Sequence, residues 1–191
     1  MNWRNSTEAY GLINIVLHWT MAAMIAVLLP LGLWMTGLDY YDPWYKKAPD
    51  LHRATGVLVA LVLLARMMWR LGNVQPRPLA HSRRERSAAR AAHLLLYLLP
   101  LLLVASGYLI STADGRAVDV FGWFEIPATL QGIEGQEDIA GDIHFILAMT
   151  LLGLICVHFL AALRHHFVLK DHTLSRMLKP ENTSRQVKER Q

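Results

Sequence analysis

Five of the nine histidines in this sequence lie inside long apolar segments, where a polar side chain is costly and usually functional, and four of them match in depth. His18 is six residues into the first segment, and His158 is five residues before the end of the fourth. In antiparallel helices with a rise of 1.5 Å per residue, these two imidazoles lie about 9 Å and about 8 Å from the same boundary. His52 and His144 each lie one residue inside a segment and match at the opposite boundary.

The fourth segment carries a histidine of each pair. His144 and His158 are fourteen residues apart, which is almost four helical turns, so both point to nearly the same helix face. They are separated by roughly 21 Å along the helix axis. One helix can therefore contribute an imidazole to two stacked sites inside a bundle.

Two imidazoles from facing helices favour haem over a bare metal ion. Zinc and copper normally take three or four close ligands, whereas each level here offers two. A haem iron needs only two axial imidazoles, because the porphyrin supplies four nitrogens. The single cysteine, Cys156, and the absence of a C-x-x-C-H motif exclude covalent c-type attachment on that signature. The alternatives are histidines that only hydrogen-bond a neighbouring helix, or a divalent-metal transporter.

Three further residues are candidates for binding the cofactor. Arg66 follows His52 by fourteen residues and reaches the His18/His158 level, where it could pair with a haem propionate or extend to the lipid headgroups. Arg53 could serve the other haem's propionates, attract an anionic reactant, or be an ordinary interfacial residue. His93 is two residues inside the third segment, so we expect it at a shallower level, near a propionate or a quinone, or simply at the polar surface.

The elements that must position these side chains are four apolar segments, at about residues 12–36, 51–71, 91–113 and 143–163. Each is close to the roughly 20 residues that a transmembrane helix needs. The sequence predicts an all-α, integral membrane four-helix bundle. It forms one domain, residues 1–178, with a structured cap at 114–142 and a disordered tail at 179–191.

The loop charges predict the orientation. The 37–50 and 114–142 segments are rich in Asp and Glu, whereas the 72–90 segment and the chain after 163 are rich in Arg and Lys. By the positive-inside rule both termini are cytoplasmic and the cap is periplasmic. The net charge of +4 is not a sign of nucleic-acid binding, because the basic residues flank the apolar segments, as expected at a membrane surface.

Several short motifs resemble the bacterial cytochrome b561 family of four-helix, di-haem membrane proteins, over roughly residues 8 to 178. They are Leu17-His-Trp, Pro49-Asp-Leu-His-Arg-Ala-Thr-Gly, Ala92-His-Leu-Leu-Leu-Tyr, Ser106-Gly-Tyr, Asp142-Ile-His, His158, and Arg164-His-His-Phe followed by Lys170-Asp-His-Thr-Leu-Ser-Arg-Met. The stretches Ser111-Thr-Ala-Asp-Gly and Val120-Phe-Gly-Trp-Phe are similar to one branch of it. The resemblance implies two non-covalent b haems, with His18 and His158 as ligands of one and His52 and His144 of the other.

The same resemblance implies a function in the bacterial inner membrane. The protein is expected to be an electron carrier that exchanges electrons with a quinone and a periplasmic-side donor, and some family members take electrons from superoxide. It would then be a quinone-linked oxidoreductase rather than a carrier alone. The alternative is a haem-bearing membrane anchor for a peripheral dehydrogenase, in which the cap would be the interface.

Overall fold

The computed structural model describes residues 2–79 and 82–180, and within them it has four long helices. They are α1 (Leu12–Met35), α2 (Lys47–Leu71), α3 (Arg83–Thr112) and α4 (Gln136–Phe167), and a short α5 (Ser175–Leu178) follows. All four long helices are long and apolar enough to cross a membrane. The predicted all-α membrane bundle is confirmed. Of the predicted tail, only 179 and 180 lie within the described residues.

Three of the four long helices extend beyond the apolar segments, because polar helix-forming residues continue them. α3 begins eight residues before the predicted segment, at an N-cap in which the Ser82 hydroxyl accepts a hydrogen bond from the Glu85 backbone N–H at 3.1 Å. α4 begins at Gln136, seven residues earlier than predicted. Part of the predicted 114–142 cap is therefore helix.

The cap also contains a small antiparallel β-hairpin that the sequence analysis did not predict. Strands β1 (Val118–Val120) and β2 (Phe124–Ile126) are joined by a tight turn in which Phe121 and Gly122 have φ of 54° and 72°. Positive φ at both central residues is typical of a type I′ turn, which matches the twist of a hairpin. Val118 and Val120 are buried, and β1 packs against α2.

The packing of the bundle is uneven. Within the described ranges the extensive close-packed seams join α1 to α2, α2 to α3 and α3 to α4, whereas neither α1 nor α2 shares such a seam with α4. A small core of Met21, Val59 and Leu63 joins the first two helices. Many large apolar side chains, such as Met68 and Phe159, are well exposed, as expected for surfaces that face lipid.

The bundle has two chemically different ends. The "terminal end" carries residues 2–11, the α2–α3 connection and α5, which are joined by hydrogen bonds from Trp19 Nε1 to the Met177 carbonyl at 2.7 Å and from the Arg77 N–H to the Thr7 carbonyl at 2.9 Å. The "hairpin end" carries the 36–46 loop and the 113–135 cap. We use these two names below.

Candidate cofactor site

The structure brings the predicted histidine partners together in two tiers. The ring centroids of His18 on α1 and His158 on α4 are 6.4 Å apart, and those of His52 on α2 and His144 on α4 are 6.2 Å apart. We call these the terminal-end pair and the hairpin-end pair. An iron atom held about 2.0 Å from one imidazole nitrogen on either side separates the two ring centroids by roughly 6 Å. Both spacings fit such a metal centre.

The uneven helix packing leaves room for a flat cofactor. Each pair spans the gap between α4 and the α1–α2 half of the bundle, where the helices share no extensive close-packed seam. Histidine rings are the groups that approach each other across this gap. A macrocycle between facing imidazoles would therefore need no separation of a close-packed helix pair.

Ser106 fixes the orientation of His144 at the hairpin end. Its hydroxyl donates to the Leu103 carbonyl at 3.1 Å, so at 2.9 Å from His144 Nδ1 it is an acceptor. The Nδ1 atom then carries the ring proton, and Nε2 keeps a lone pair that can bind a metal. A hydrogen bond of this kind is the usual way in which a protein orients a histidine ligand.

Two glycines make space for the hairpin-end rings. A Cβ at Gly32 on α1 would stand 3.0 Å from His52 Cε1, and one at Gly107 on α3 would stand 3.3 Å from His144 Cε1. His52 Nδ1 is buried and has no hydrogen-bond partner in the described part of the chain. An unpartnered buried ring nitrogen and two glycine-lined rings are consistent with a site shaped for a ligand rather than for helix packing alone.

The terminal-end pair faces a cation instead of a hydroxyl. Arg66 Nη1 lies 2.8 Å from His18 Nδ1, and Arg66 Nε donates to the Tyr97 hydroxyl at 3.0 Å. A guanidinium can only donate, so Nδ1 accepts and the proton of the neutral His18 ring is on Nε2. Coordination through Nε2 requires the other tautomer, so Arg66 must find another acceptor when a metal binds there. The Arg66 side chain thus reaches the level at which the sequence predicted it.

His93 lies next to the terminal-end pair. Its ring centroid is 5.9 Å from that of His158 on the neighbouring helix. His93 approaches His158 across the close-packed α3–α4 seam, which leaves no gap for a macrocycle between these two rings.

Arg53 lies at the surface of the hairpin end. It forms an ion pair with Asp50, and together with Arg116, Ala117 and Asp119 these two line a cleft of about 210 Å³. Arg116 in turn pairs with a carboxylate of its own, that of Asp114. Hydrogen bonds from Arg116 lower the pKa of the exposed Asp114 carboxyl. The lining of the cleft contains both arginines and aspartates, so it carries both signs of charge.

Four helices long and apolar enough to span a membrane, with imidazole pairs between them, are compatible with the class of helical membrane cytochromes. Comparison with known proteins narrows the class. The sequence model of the prokaryotic cytochrome b561 family matches residues 9–180. The chain therefore belongs to the prokaryotic cytochrome b561 family, whose members are haem b-binding electron-transfer proteins. It is accordingly a multi-pass protein of the bacterial inner membrane.

Individual relatives align with almost the whole chain. Cytochrome b561 homolog 2 of Escherichia coli (strain K12) is 49% identical over 179 residues, which cover 93% of this chain and 95% of the relative. The probable superoxide oxidase CybB of Yersinia pestis is 28% identical over 177 residues, covering 90% and 96%. Cytochrome b561 homolog 1 of E. coli is 26% identical over 182 residues, covering 93% and 98%.

Sequence reasoning missed the residues that support the histidines. Ser106 and Gly107 stand together in the Ser106-Gly-Tyr motif, which was noted only as part of the resemblance. Gly32 carried no recognisable signal, because its role depends on how α1 crosses α2. Tyr97 is one turn after His93 on α3, and that spacing was the only hint that both reach the same tier.

Proposed function

We propose that this chain binds two b haems, one between His18 and His158 and one between His52 and His144, and transfers electrons between them. The observation that carries the proposal is the pair of ring spacings, 6.4 Å and 6.2 Å, across the open side of the bundle. Family membership supports haem b as the cofactor. When bound, each haem supplies one-electron redox chemistry.

The residues of this chain would hold and tune the cofactors. His144 is oriented by Ser106, and the Gly32 backbone allows His52 to occupy its position. Arg66 is the candidate partner of a propionate at the terminal end, since a guanidinium pairs well with a carboxylate and no carboxylate in the described residues occupies it. His93 is a candidate to contact a propionate or a bound quinone.

The proposed direction of transfer follows from the orientation. By the positive-inside rule we place the hairpin end in the periplasm and the terminal end in the cytoplasm. The hairpin-end residues would then hold the haem that faces a periplasmic donor, and the terminal-end residues would hold the haem that faces a quinone. The name of the Yersinia pestis relative makes superoxide a candidate donor. Two superoxide anions would each give one electron and become O₂, and one quinone would take both electrons and two protons.

The alternative, a membrane anchor for a peripheral dehydrogenase, has one supporting observation. The hairpin exposes Phe121, Trp123 and Phe124, and Trp123 is 72% exposed. Such side chains could contact a partner protein or the lipid interface. Isolated protein that reduces quinone with a small-molecule donor would argue against the anchor, and a dehydrogenase that co-purifies stoichiometrically would argue for it.

The test is a haem count on purified variants. The dithionite-reduced minus oxidised spectrum of the wild-type protein should show b-type haem at two per chain. His18→Ala and His52→Ala should each retain one haem. His172→Ala is the matched control, and it should retain two, because this imidazole is exposed and lies outside both proposed sites. The pairing is wrong if either ligand variant keeps both haems or if His172→Ala loses one.

A further inference from the structure

The two tiers differ in the group that contacts Nδ1 of a proposed ligand histidine, the ring nitrogen that would not bind the metal. At the hairpin end a neutral hydroxyl accepts from His144 Nδ1, and at the terminal end a guanidinium lies 2.8 Å from His18 Nδ1. Because hydrogen bonds and charges around axial ligands tune the potential of a haem, the tiers cannot be equivalent. The difference bears on the direction in which electrons move.

The charge at the terminal end is not neutralised by the protein. Among the described residues, the structure gives Arg66 hydrogen bonds to Tyr97 and His18 and a contact with the Tyr97 ring at 5.4 Å, but no carboxylate. The residue is only partly exposed. A partly buried cation is weakly screened, and it favours the reduced state of a nearby metal centre, which carries one positive charge fewer than the oxidised state.

The charges at the hairpin end are compensated. Arg53 is paired with Asp50, and Arg116 is paired with Asp114 at 2.5 Å. Their side chains are also more open to solvent, at 37% and 80% exposed. The dominant influence on this tier is then the hydrogen bond to Ser106, which increases the basicity of His144 and favours the oxidised state.

Building on the two-haem assignment above, we propose that Arg66 makes the terminal-end site the more oxidising of the two, with Ser106 lowering the potential of the hairpin-end site. Electrons that enter at the hairpin end therefore move downhill toward the terminal end. Arg66 is a positioning and tuning residue in this scheme, and Tyr97 keeps its guanidinium beside the site. Arg66 gives up its hydrogen bond to His18 Nδ1 when a metal binds Nε2, but its loss removes one positive charge from this tier whether or not the guanidinium then pairs with a propionate.

The test is a potentiometric titration followed at the haem absorption bands, in the His52→Ala background so that only the terminal-end haem is read. Arg66→Gln should lower the equilibrium constant for reduction roughly tenfold, and a tenfold change in a one-electron couple is a midpoint shift of about 59 mV. Arg66→Lys should restore most of the shift, because it keeps the charge. Tyr97→Phe keeps the ring but removes the hydroxyl that accepts from Arg66, so it should give a smaller midpoint shift of the same sign. It provides the test if Arg66→Gln does not fold.

Arg70 provides the matched control. It also lies over the Tyr97 ring, at 5.7 Å, but it is exposed and bonds Gln75. Arg70→Gln should leave the midpoint nearly unchanged. Ser106→Ala in the His18→Ala background should raise the midpoint of the hairpin-end haem.

The outcomes separate this inference from the proposed function. A wild-type protein with two haems in which Arg66→Gln causes no shift, or the same shift as Arg70→Gln, overturns the role of Arg66 and leaves the two-haem assignment standing. A rise on Arg66→Gln also overturns it. A wild-type protein with fewer than two haems overturns both proposals.

Discussion

The close approach of α1 to the His52 ring makes Gly32→Ala a sensitive test of the proposed hairpin-end site. An alanine Cβ would stand 3.0 Å from His52 Cε1. Carbon atoms in contact lie about 3.5–4.0 Å apart, so the ring or the helix must give by a few tenths of an ångström, up to about 0.5 Å. A functional side chain has to be held within about 0.5 Å of its working position. The displacement caused by the substitution is therefore comparable with the positional error that the site can tolerate.

The expected loss of affinity can be estimated from the cost of overpacking. Adding a methyl group to a packed site typically costs about 1–3 kcal/mol, which corresponds to roughly 5- to 150-fold weaker binding of the hairpin-end haem. Gly107→Ala places its Cβ 3.3 Å from His144 Cε1, so the ring needs to give only a few tenths of an ångström. We expect a smaller loss for that variant.

The assay measures haem retention in detergent. Purified variants are mixed with an excess of a soluble haem-binding protein, and the haem that remains per chain is followed over time. Gly32→Ala should release one haem much faster than the wild-type protein and keep the other. Gly141→Ala on α4, where an added Cβ would meet nothing within 4 Å, is the matched control and should behave like the wild type. Full retention by Gly32→Ala, or equal release by Gly141→Ala, would refute the reasoning.

Three further predictions concern segments around the site. Burial raises the pKa of the Asp171 carboxyl, but its hydrogen bonds, first among them the one with His165 at 2.5 Å, lower the pKa by more. The net result is a pKa of about 2. Its stabilising contribution should therefore be complete above about pH 4 and disappear as the pH falls toward 2. The melting temperature of the wild type should fall over this range by more than that of Asp171→Asn. The Tyr108 hydroxyl accepts from the Thr129 N–H at 2.8 Å. Tyr108→Phe removes this acceptor and should loosen the cap, visible as faster hydrogen exchange at 127–132 but not in α5. Trp19→Phe loses the hydrogen bond to α5, so it should speed hydrogen exchange in α5 and leave residues 127–132 unchanged.

The paired histidines could be anticipated because they depend on a one-dimensional regularity. A spacing of fourteen residues puts His144 and His158 on one face of any α-helix, whatever surrounds it. Depth in a bilayer then selects their partners, because antiparallel spans cross the same two planes. The structure places the rings of His18 and His52 next to those expected partners. Their role as ligands remains a prediction.

The remaining features depend on how the helices cross, which no local pattern encodes. Gly32 is close to His52 only because α1 and α2 pack together, and Ser106 meets His144 only because α3 and α4 do. His93 is close to His158 for the same reason, because α3 packs against α4. The hairpin was missed for another reason: strands of three residues are too short for an alternating pattern to be recognised.

The role of α3 shows why a helix without a proposed ligand still determines the site. It packs against both α2 and α4, so it sets the distance between two of the three helices that carry the proposed ligands. It also contacts both tiers, through Ser106 and Gly107 at His144 and through His93 at His158, while Tyr97 holds Arg66. Substitutions on α3 should therefore change the potentials of the proposed haems while the four histidines stay in place.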